Sequence, residues 1–153
     1  NYQALKILNE KIKSREIKKF YLTVACGKFE KQSDILKGYL KKDERKNIVK
    51  VFDKPIDGAK EIATKYTVLG YYPDVSLVEV ELLTGRAHLA SIGHPLLNDG
   101  KYGDTHGRFK QELYSYKLKF DFSTDAGILN YLNQKEFEIQ NCKIEKLFTE
   151  KKY

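Results

Sequence analysis

Histidine and aspartate side chains are concentrated in a glycine-rich stretch between Thr84 and Gly107. These residue types hold zinc or iron in many proteins. The candidates in this stretch are His88, His94, Asp99, Asp104 and His106. Their spacing matches no metal-binding template, and histidines in loops commonly serve as turn and hydrogen-bonding residues. We therefore expect no metal site.

Nucleophilic catalysis by serine or cysteine is no better supported. Ser91 lacks the Gly-x-Ser-x-Gly context of a nucleophile elbow, and Cys26 lies in an apolar strand pattern. Phosphate-loop and dinucleotide-binding fingerprints are absent from the sequence. The two cysteines are far apart, and no apolar run is long enough to span a membrane. We expect a cytoplasmic protein.

The elements that must position these residues can be predicted from periodicity. Residues 2–17 have helical spacing, and residues 20–26 form a buried strand that carries Tyr21. We expect a basic hairpin over 34–41 and 48–53, central strands over 62–72 and 75–83, a short helix within 87–92, a strand over 114–122 and a helix over 126–132. This order predicts one domain over residues 1–153, of the α+β class, with a mixed and largely antiparallel sheet and few helices.

Positive charge is concentrated near the beginning of the chain. The first 50 residues contain 14 basic and 6 acidic residues, whereas the remaining 103 contain 14 and 15. Such an asymmetry indicates a surface that binds a polyanion, although a lysine-rich surface also serves solubility alone. The candidate residues for binding this polyanion are Lys37, Lys41, Lys42, Arg45, Lys46 and Lys50.

Residues 82–104 carry a long motif. It runs Leu-Leu-Thr-Gly-Arg-Ala-His-Leu-Ala-Ser-Ile-Gly-His-Pro-Leu-Leu-Asn-Asp-Gly-Lys-Tyr-Gly-Asp. This sequence resembles the motif of the RluA/RluC/RluD-type pseudouridine synthases. In that family, Leu-x-Thr-Gly-Arg-Thr-His-Gln-Ile-Arg is continued by His-Leu-Ala-x-x-Gly-His-Pro. The strand at 19–27 and the segment at 111–120 also resemble strands of that family.

The resemblance implies an α+β catalytic domain that converts uridine to pseudouridine in ribosomal or transfer RNA, without a cofactor. It assigns Tyr21 to the family's active-site tyrosine and Arg86 to one of two family arginines. The second of these pairs with a catalytic aspartate. About five residues of the family motif are missing after Thr84-Gly85, so Arg86 can match either arginine.

The family's nucleophile is an aspartate in a His-Arg-Leu-Asp motif, and this motif does not occur in the chain. We call residues 93–104, which begin with Gly93-His94-Pro95, the Gly-His-Pro segment. Asp99 and Asp104 match loop aspartates of this segment in the family, so neither is a candidate nucleophile. The chain also has no methionine. We therefore expect the C-terminal portion of a catalytic domain, inactive as these residues alone. The alternative is a non-catalytic RNA-binding module or relic of the same family.

Overall fold

The computed structural model describes residues 1–45, 47–81, 85–103, 113–140 and residue 144. Two α-helices, α1 (Tyr2–Lys13) and α2 (Gly85–Ser91), and a 3-10 helix (Gly127–Leu132) accompany the strands. The strands are β1 (Ile17–Cys26), β2 (Ser33–Asp43), β3 (Ile48–Phe52), β4 (Lys60–Tyr72), β5 (Val75–Glu81), β6 (Leu113–Phe120) and β7 (Glu136–Glu138). None of the described helices is long and apolar enough to cross a membrane.

The strands form one sheet in the order β3-β2-β4-β5-β1-β6-β7. Every pairing between the described strands is antiparallel. The expected α+β class and antiparallel character are confirmed. The strands expected to be central, β4 and β5, do lie inside the sheet.

The register divides the sheet residues between two faces, because successive side chains of a strand point to opposite sides. Tyr21 pairs with Val80, which pairs in turn with Tyr66. We call the face that carries these three residues the helix face. Leu89 of α2 packs on it, in a cluster with Val80 and Tyr66.

Three apolar clusters stabilise the fold. One contains Leu22, Val24, Val75, Leu77, Tyr116 and Ile144 and lies on the face opposite α2. The second, on the helix face, contains Ala25, Phe29, Tyr66, Val68, Val78, Val80, Leu89 and Leu96. The third joins α1 to the 3-10 helix and contains Ile17, Phe120, Phe122, Ala126 and Leu129.

The expected helix over 2–17 is four residues too long. The helix ends at Lys13, and Arg15 adopts a left-handed conformation with φ of 62°. Glu16 is buried and accepts hydrogen bonds from the Lys11 Nζ at 2.9 Å and from the backbone N–H of Ser123 at 2.8 Å. These contacts hold the chain in a turn, so that Ile17 begins β1 instead of ending α1.

The other boundaries shift by a few residues. The expected helix over 126–132 is a 3-10 helix from Gly127 to Leu132, and the expected strand over 114–122 runs from Leu113 to Phe120. The edge strand β7 was not predicted. The expected strand end at 82–83 and most of the charged segment at 143–153 lie outside the described residues.

Candidate active site

Tyr21 lies near the middle of β1, on the helix face. It is half-buried, between Val80 of β5 and Ser115 of β6. The neighbouring Leu22 points to the opposite face and is fully buried. The apolar alternation of β1 therefore fixes Tyr21 on the side of the sheet that α2 covers.

The helix α2 is attached to the sheet through His88. Its Nδ1 lies 3.0 Å from the Oγ1 of Thr64 in β4, and the ring also forms a hydrogen bond with the backbone of Lys37 in β2. Burial lowers the pKa of His88, and this outweighs the opposing effect of the Lys37 backbone. The imidazole is therefore neutral at pH 7 and serves as an uncharged link between helix and sheet.

A glycine in β2 allows this close approach. A Cβ atom at Gly38 would lie 3.0 Å from the Cγ1 of Val51, 3.2 Å from the carbonyl oxygen of Phe52 and 3.4 Å from the Nε2 of His88. Only a residue without a side chain leaves this space free. Gly38 thus helps to set the distance between α2 and the sheet, and this distance sets the position of Arg86.

Arg86 lies in the first turn of α2 and forms a two-pronged ion pair with Asp99. Its Nε donates to Oδ2 at 2.9 Å and its Nη2 donates to Oδ1 at 2.5 Å. Such paired contacts fix the orientation of a guanidinium. The guanidinium carbon also lies 5.4 Å from the centre of the Tyr102 ring. Arg86 is therefore held in place by two residues of the Gly-His-Pro segment.

The Asp99 carboxylate is fully buried, whereas the Arg86 side chain keeps 35% of its surface exposed. Burial alone would raise the pKa of Asp99. The hydrogen bonds from Arg86 and from the backbone N–H groups of Lys101 and Tyr102 outweigh burial, and the pKa lies below its ordinary value. Asp99 is thus ionised at neutral pH, and Arg86 still has an exposed guanidinium edge.

The Gly-His-Pro segment is joined to the end of β1. The Nδ1 of His94 lies 2.8 Å from the carbonyl oxygen of Cys26, which can only accept, so Nδ1 carries a proton. The His94 ring stacks on Phe29 with 4.0 Å between centroids. Gly27, with φ of 77°, leaves room for this ring. The segment that carries Asp99 is therefore attached to the strand that carries Tyr21.

These contacts account for three of the five metal-ligand candidates. His88, His94 and Asp99 each have a protein partner, and the described residues contain no group of three or more potential ligands. Asp104 and His106 lie outside the described residues. Cys26 is a free thiol whose pKa burial raises, which does not suit a thiolate nucleophile.

A cleft of about 250 Å³ opens where β5 ends at Glu81. Its lining combines apolar and basic side chains, with Glu81 as the carboxylate. The lining residues are Ile12, Arg15, Ile17, Lys18, Lys19, Ile35, Ile62, Ala63, Lys65 and Glu81. Lys19 lies two positions before Tyr21 on the same strand and therefore on the same face. Neither Arg15 nor Lys19 was singled out from the sequence, because only their position beside this cleft distinguishes them from other basic residues.

The predicted RNA-binding residues do not share one face. Lys37, Lys41 and Lys50 are exposed on the face opposite α2, because they alternate with Gly38 and Val51 on the helix side. The remaining candidates are placed differently: Lys42 lies on the helix face, Arg45 lies in the turn after β2, and Lys46 is outside the described residues. The pairing of Arg86 with Asp99 was also not predicted, although both residues belong to the motif at 82–104.

The structure is an antiparallel sheet with few helices, and Tyr21 and Arg86 lie on the side of the sheet that α2 covers. Residues 1–89 match the family model for RNA pseudouridylate synthases. The chain belongs to this family. Its match to the human RNA pseudouridylate synthase domain containing 1 has a TM-score of 0.67 at 18% identity and covers 99% of this chain and 73% of that one.

Curated relatives agree with this assignment. The chain is 29% identical over 139 residues to ribosomal large subunit pseudouridine synthase C of Haemophilus ducreyi, covering 80% of this chain and 42% of that protein. It is 27% identical over 134 residues to ribosomal large subunit pseudouridine synthase D of Borreliella burgdorferi, covering 82% of this chain and 40% of that protein. The chain thus spans less than half the length of these relatives.

Proposed function

We propose that this chain is the C-terminal portion of a pseudouridine synthase catalytic domain, acting in the cytoplasm on ribosomal or transfer RNA. The observation that supports it most strongly is the placement of Tyr21 and Arg86. The tyrosine lies on the helix face, and the arginine belongs to the helix that covers this face. The named relatives carry the same activity in their descriptions.

The proposed reaction is an isomerisation. The bond between the uracil N1 and the ribose breaks, the base rotates, and a bond forms from C5 while the C5 proton moves to solvent and N1 gains one. Substrate and product have the same composition, so the reaction needs no redox cofactor or group donor. The target base must first leave its stack to reach protein side chains.

Arg86 would orient and pair with the aspartate nucleophile, which is contributed from outside these 153 residues. A guanidinium has five N–H donors, and the contacts to Asp99 use two of them. The remaining N–H donors of Arg86 and its exposed guanidinium edge are suited to bind a second carboxylate. Arg86 also stands two positions before His88-Leu89-Ala90. We propose that it matches the second arginine of the family motif.

Tyr21 would contact the target base. Its half-buried ring has an apolar body for stacking, and its hydroxyl group can assist transfer of the C5 proton. The basic residues of β2, β3 and their turn, namely Lys37, Lys41, Lys42, Arg45, Lys46 and Lys50, would contact RNA phosphates. This contribution is electrostatic and therefore depends on salt.

The role of Tyr21 is tested in the full encoded protein with Tyr21→Phe. We expect this variant to bind RNA and to unfold at the same temperature as the wild type, but to form pseudouridine at least about 100-fold more slowly, as for loss of a positioned acid-base group. Nucleoside analysis of digested RNA measures the product. Tyr71→Phe, at an exposed position of β4, is the matched control. Wild-type turnover in Tyr21→Phe would remove the proposed role.

A further inference from the structure

The outer part of the sheet has one face that no described element covers. Strands β2, β3 and β4 carry α2 on their helix face, where Thr64 and Gly38 contact His88. On the opposite face Ile35 is 54% exposed, and Ala63 is exposed as well. We call this surface the open face; it is made by Ile35, Lys37, Tyr39 and Lys41 of β2 with Lys50, Phe52 and Ala63.

Two aromatic residues lie at the centre of the open face. Tyr39 of β2 and Phe52 of β3 are directly paired across the two strands, and both are half-buried. Cβ atoms of such pairs are about 4.5–5.5 Å apart, so the two aromatic side chains are direct neighbours on the open face. Aromatic side chains at the surface of a sheet are where unpaired bases stack in proteins that bind single strands.

Three lysines surround the aromatic pair. Lys37 and Lys41 lie two positions to either side of Tyr39 on β2, and Lys50 lies two positions before Phe52 on β3. Lys37 and Lys41 are separated by about 13 Å along the strand. The Lys41 Nζ donates to the carbonyl oxygen of Asp57 at 2.8 Å, which leaves its charge uncompensated.

Lys41 and Lys50 are direct partners across β2 and β3. Like charges directly opposite each other destabilise a sheet. Within the described part of the chain, no carboxylate lies within ion-pair distance of either ammonium group. An anionic partner above the pair would remove this repulsion. By register, the nearest carboxylates on this face are Asp43, two positions after Lys41, and Glu61, opposite Tyr39.

We propose that the open face binds single-stranded RNA, with bases stacked on Tyr39 and Phe52 and phosphates contacted by Lys37, Lys41 and Lys50. This inference rests on the proposed function, which supplies RNA as the partner. The open face lies on the side of the sheet opposite Tyr21 and α2, and only its Ile35 and Ala63 also line the cleft at the end of β5. It therefore holds a segment of RNA other than the one that enters the active site, and adds affinity without contacting the target base.

The test compares the chain with charge variants that differ only in position. Binding of a fluorescein-labelled 12-nucleotide oligouridylate is measured by anisotropy at several salt concentrations. The open-face variant is Lys37→Gln/Lys41→Gln/Lys50→Gln. The control variant, Lys6→Gln/Lys13→Gln/Lys135→Gln, removes the same charge at exposed positions elsewhere. Circular dichroism and melting temperature verify that both variants are folded.

We expect the open-face variant to bind at least about tenfold more weakly, with a slope of log affinity against log salt smaller by about 2, since each phosphate contact of a single strand contributes about 0.7. The control variant keeps at least half of the wild-type affinity. Tyr39→Leu, which keeps an apolar strand residue, binds at least about fivefold more weakly through lost stacking. Glu61→Gln binds more tightly because a carboxylate that repels phosphate is removed.

Equal losses in the two lysine variants, or unchanged binding in the open-face variant, would overturn the proposal and leave the proposed function standing. An affinity for a 12-base-pair duplex equal to that for the single strand would also overturn it, because paired bases cannot stack on the aromatic pair. A wild-type chain that binds no RNA would contradict both the open-face proposal and RNA as the partner.

Discussion

The ion pair between Arg86 and Asp99 offers the sharpest test of the site's geometry. Asp99→Asn keeps the size and shape of the side chain but removes its charge. The Arg86 guanidinium then loses its charged acceptor, while the new amide group presents an N–H toward it. We expect the variant to fold, with a lower free energy of unfolding and a less fixed Arg86.

The expected decrease in the free energy of unfolding follows from the burial of Asp99 and Arg86. Removing one partner of a fully buried ion pair costs about 3–5 kcal/mol. Arg86 keeps 35% of its side-chain surface exposed and is partly hydrated when unpaired. We therefore expect about 2–3 kcal/mol at pH 7, in the range found for hydrogen bonds to charged groups. Urea unfolding followed by circular dichroism measures it.

The pH dependence gives a second readout of the same pair. The pKa of Asp99 is lower in the folded chain than in the unfolded chain, where it is about 3.9. The ionised Asp99 therefore adds to the free energy of unfolding above the unfolded pKa, and this stabilisation is lost as the pH falls through the folded pKa. Asp99→Asn should therefore destabilise the protein at pH 7 and much less at acidic pH. The control, Asp121→Asn, removes a more exposed ion pair with Lys18 and should cost much less.

A double-mutant cycle decides whether the two residues act as a pair. Asp99→Asn and Arg86→Met should together cost clearly less than the sum of the single changes, because either change alone already breaks the contact. Additive losses would refute the inference that Asp99 holds Arg86. So would an Asp99→Asn variant whose stability at pH 7 equals that of the wild type.

Two further changes test the elements that position the site. Gly38→Val should lower the free energy of unfolding by about 1–3 kcal/mol, because its side chain meets the Phe52 carbonyl; a urea midpoint equal to the wild type's would contradict this. Glu16 has a pKa held well below its ordinary value, chiefly by its hydrogen bond with Lys11. The melting temperature of Glu16→Gln should therefore fall less steeply than that of the wild type as the pH is lowered through the acid range. Melting temperatures that fall equally steeply with pH in both proteins would refute this role of Glu16.

Much of the fold could be predicted because its signals are local. The alternation in β1, β4 and β5 follows from side chains that must reach one of two buried faces. The end of α1 could not be predicted in this way. It depends on Glu16, which accepts hydrogen bonds from residues about 107 positions further along the chain. Periodicity within α1 carries no information about that partner.

The candidate site was predictable in its residue types and less so in its contacts. The motif at 82–104 singles out Arg86, but its pairing with Asp99 depends on how the Gly-His-Pro segment folds back through His94 and Cys26. The division of the lysines between two faces follows from the period of two in β2. This division shows which lysines are near the candidate site only once it is known which face α2 covers.

Release of the C5 hydrogen from RNA tests directly whether this protein is a pseudouridine synthase. Ribosomal RNA transcribed with uridine labelled by tritium at C5 is incubated with the full encoded protein, and tritium in the solvent is counted. Formation of the new bond at C5 requires loss of this hydrogen, so we expect tritium release that reaches a plateau at a fixed number of sites per RNA. Binding of the same RNA without tritium release would contradict it, and would identify the protein as a non-catalytic RNA-binding member of the family.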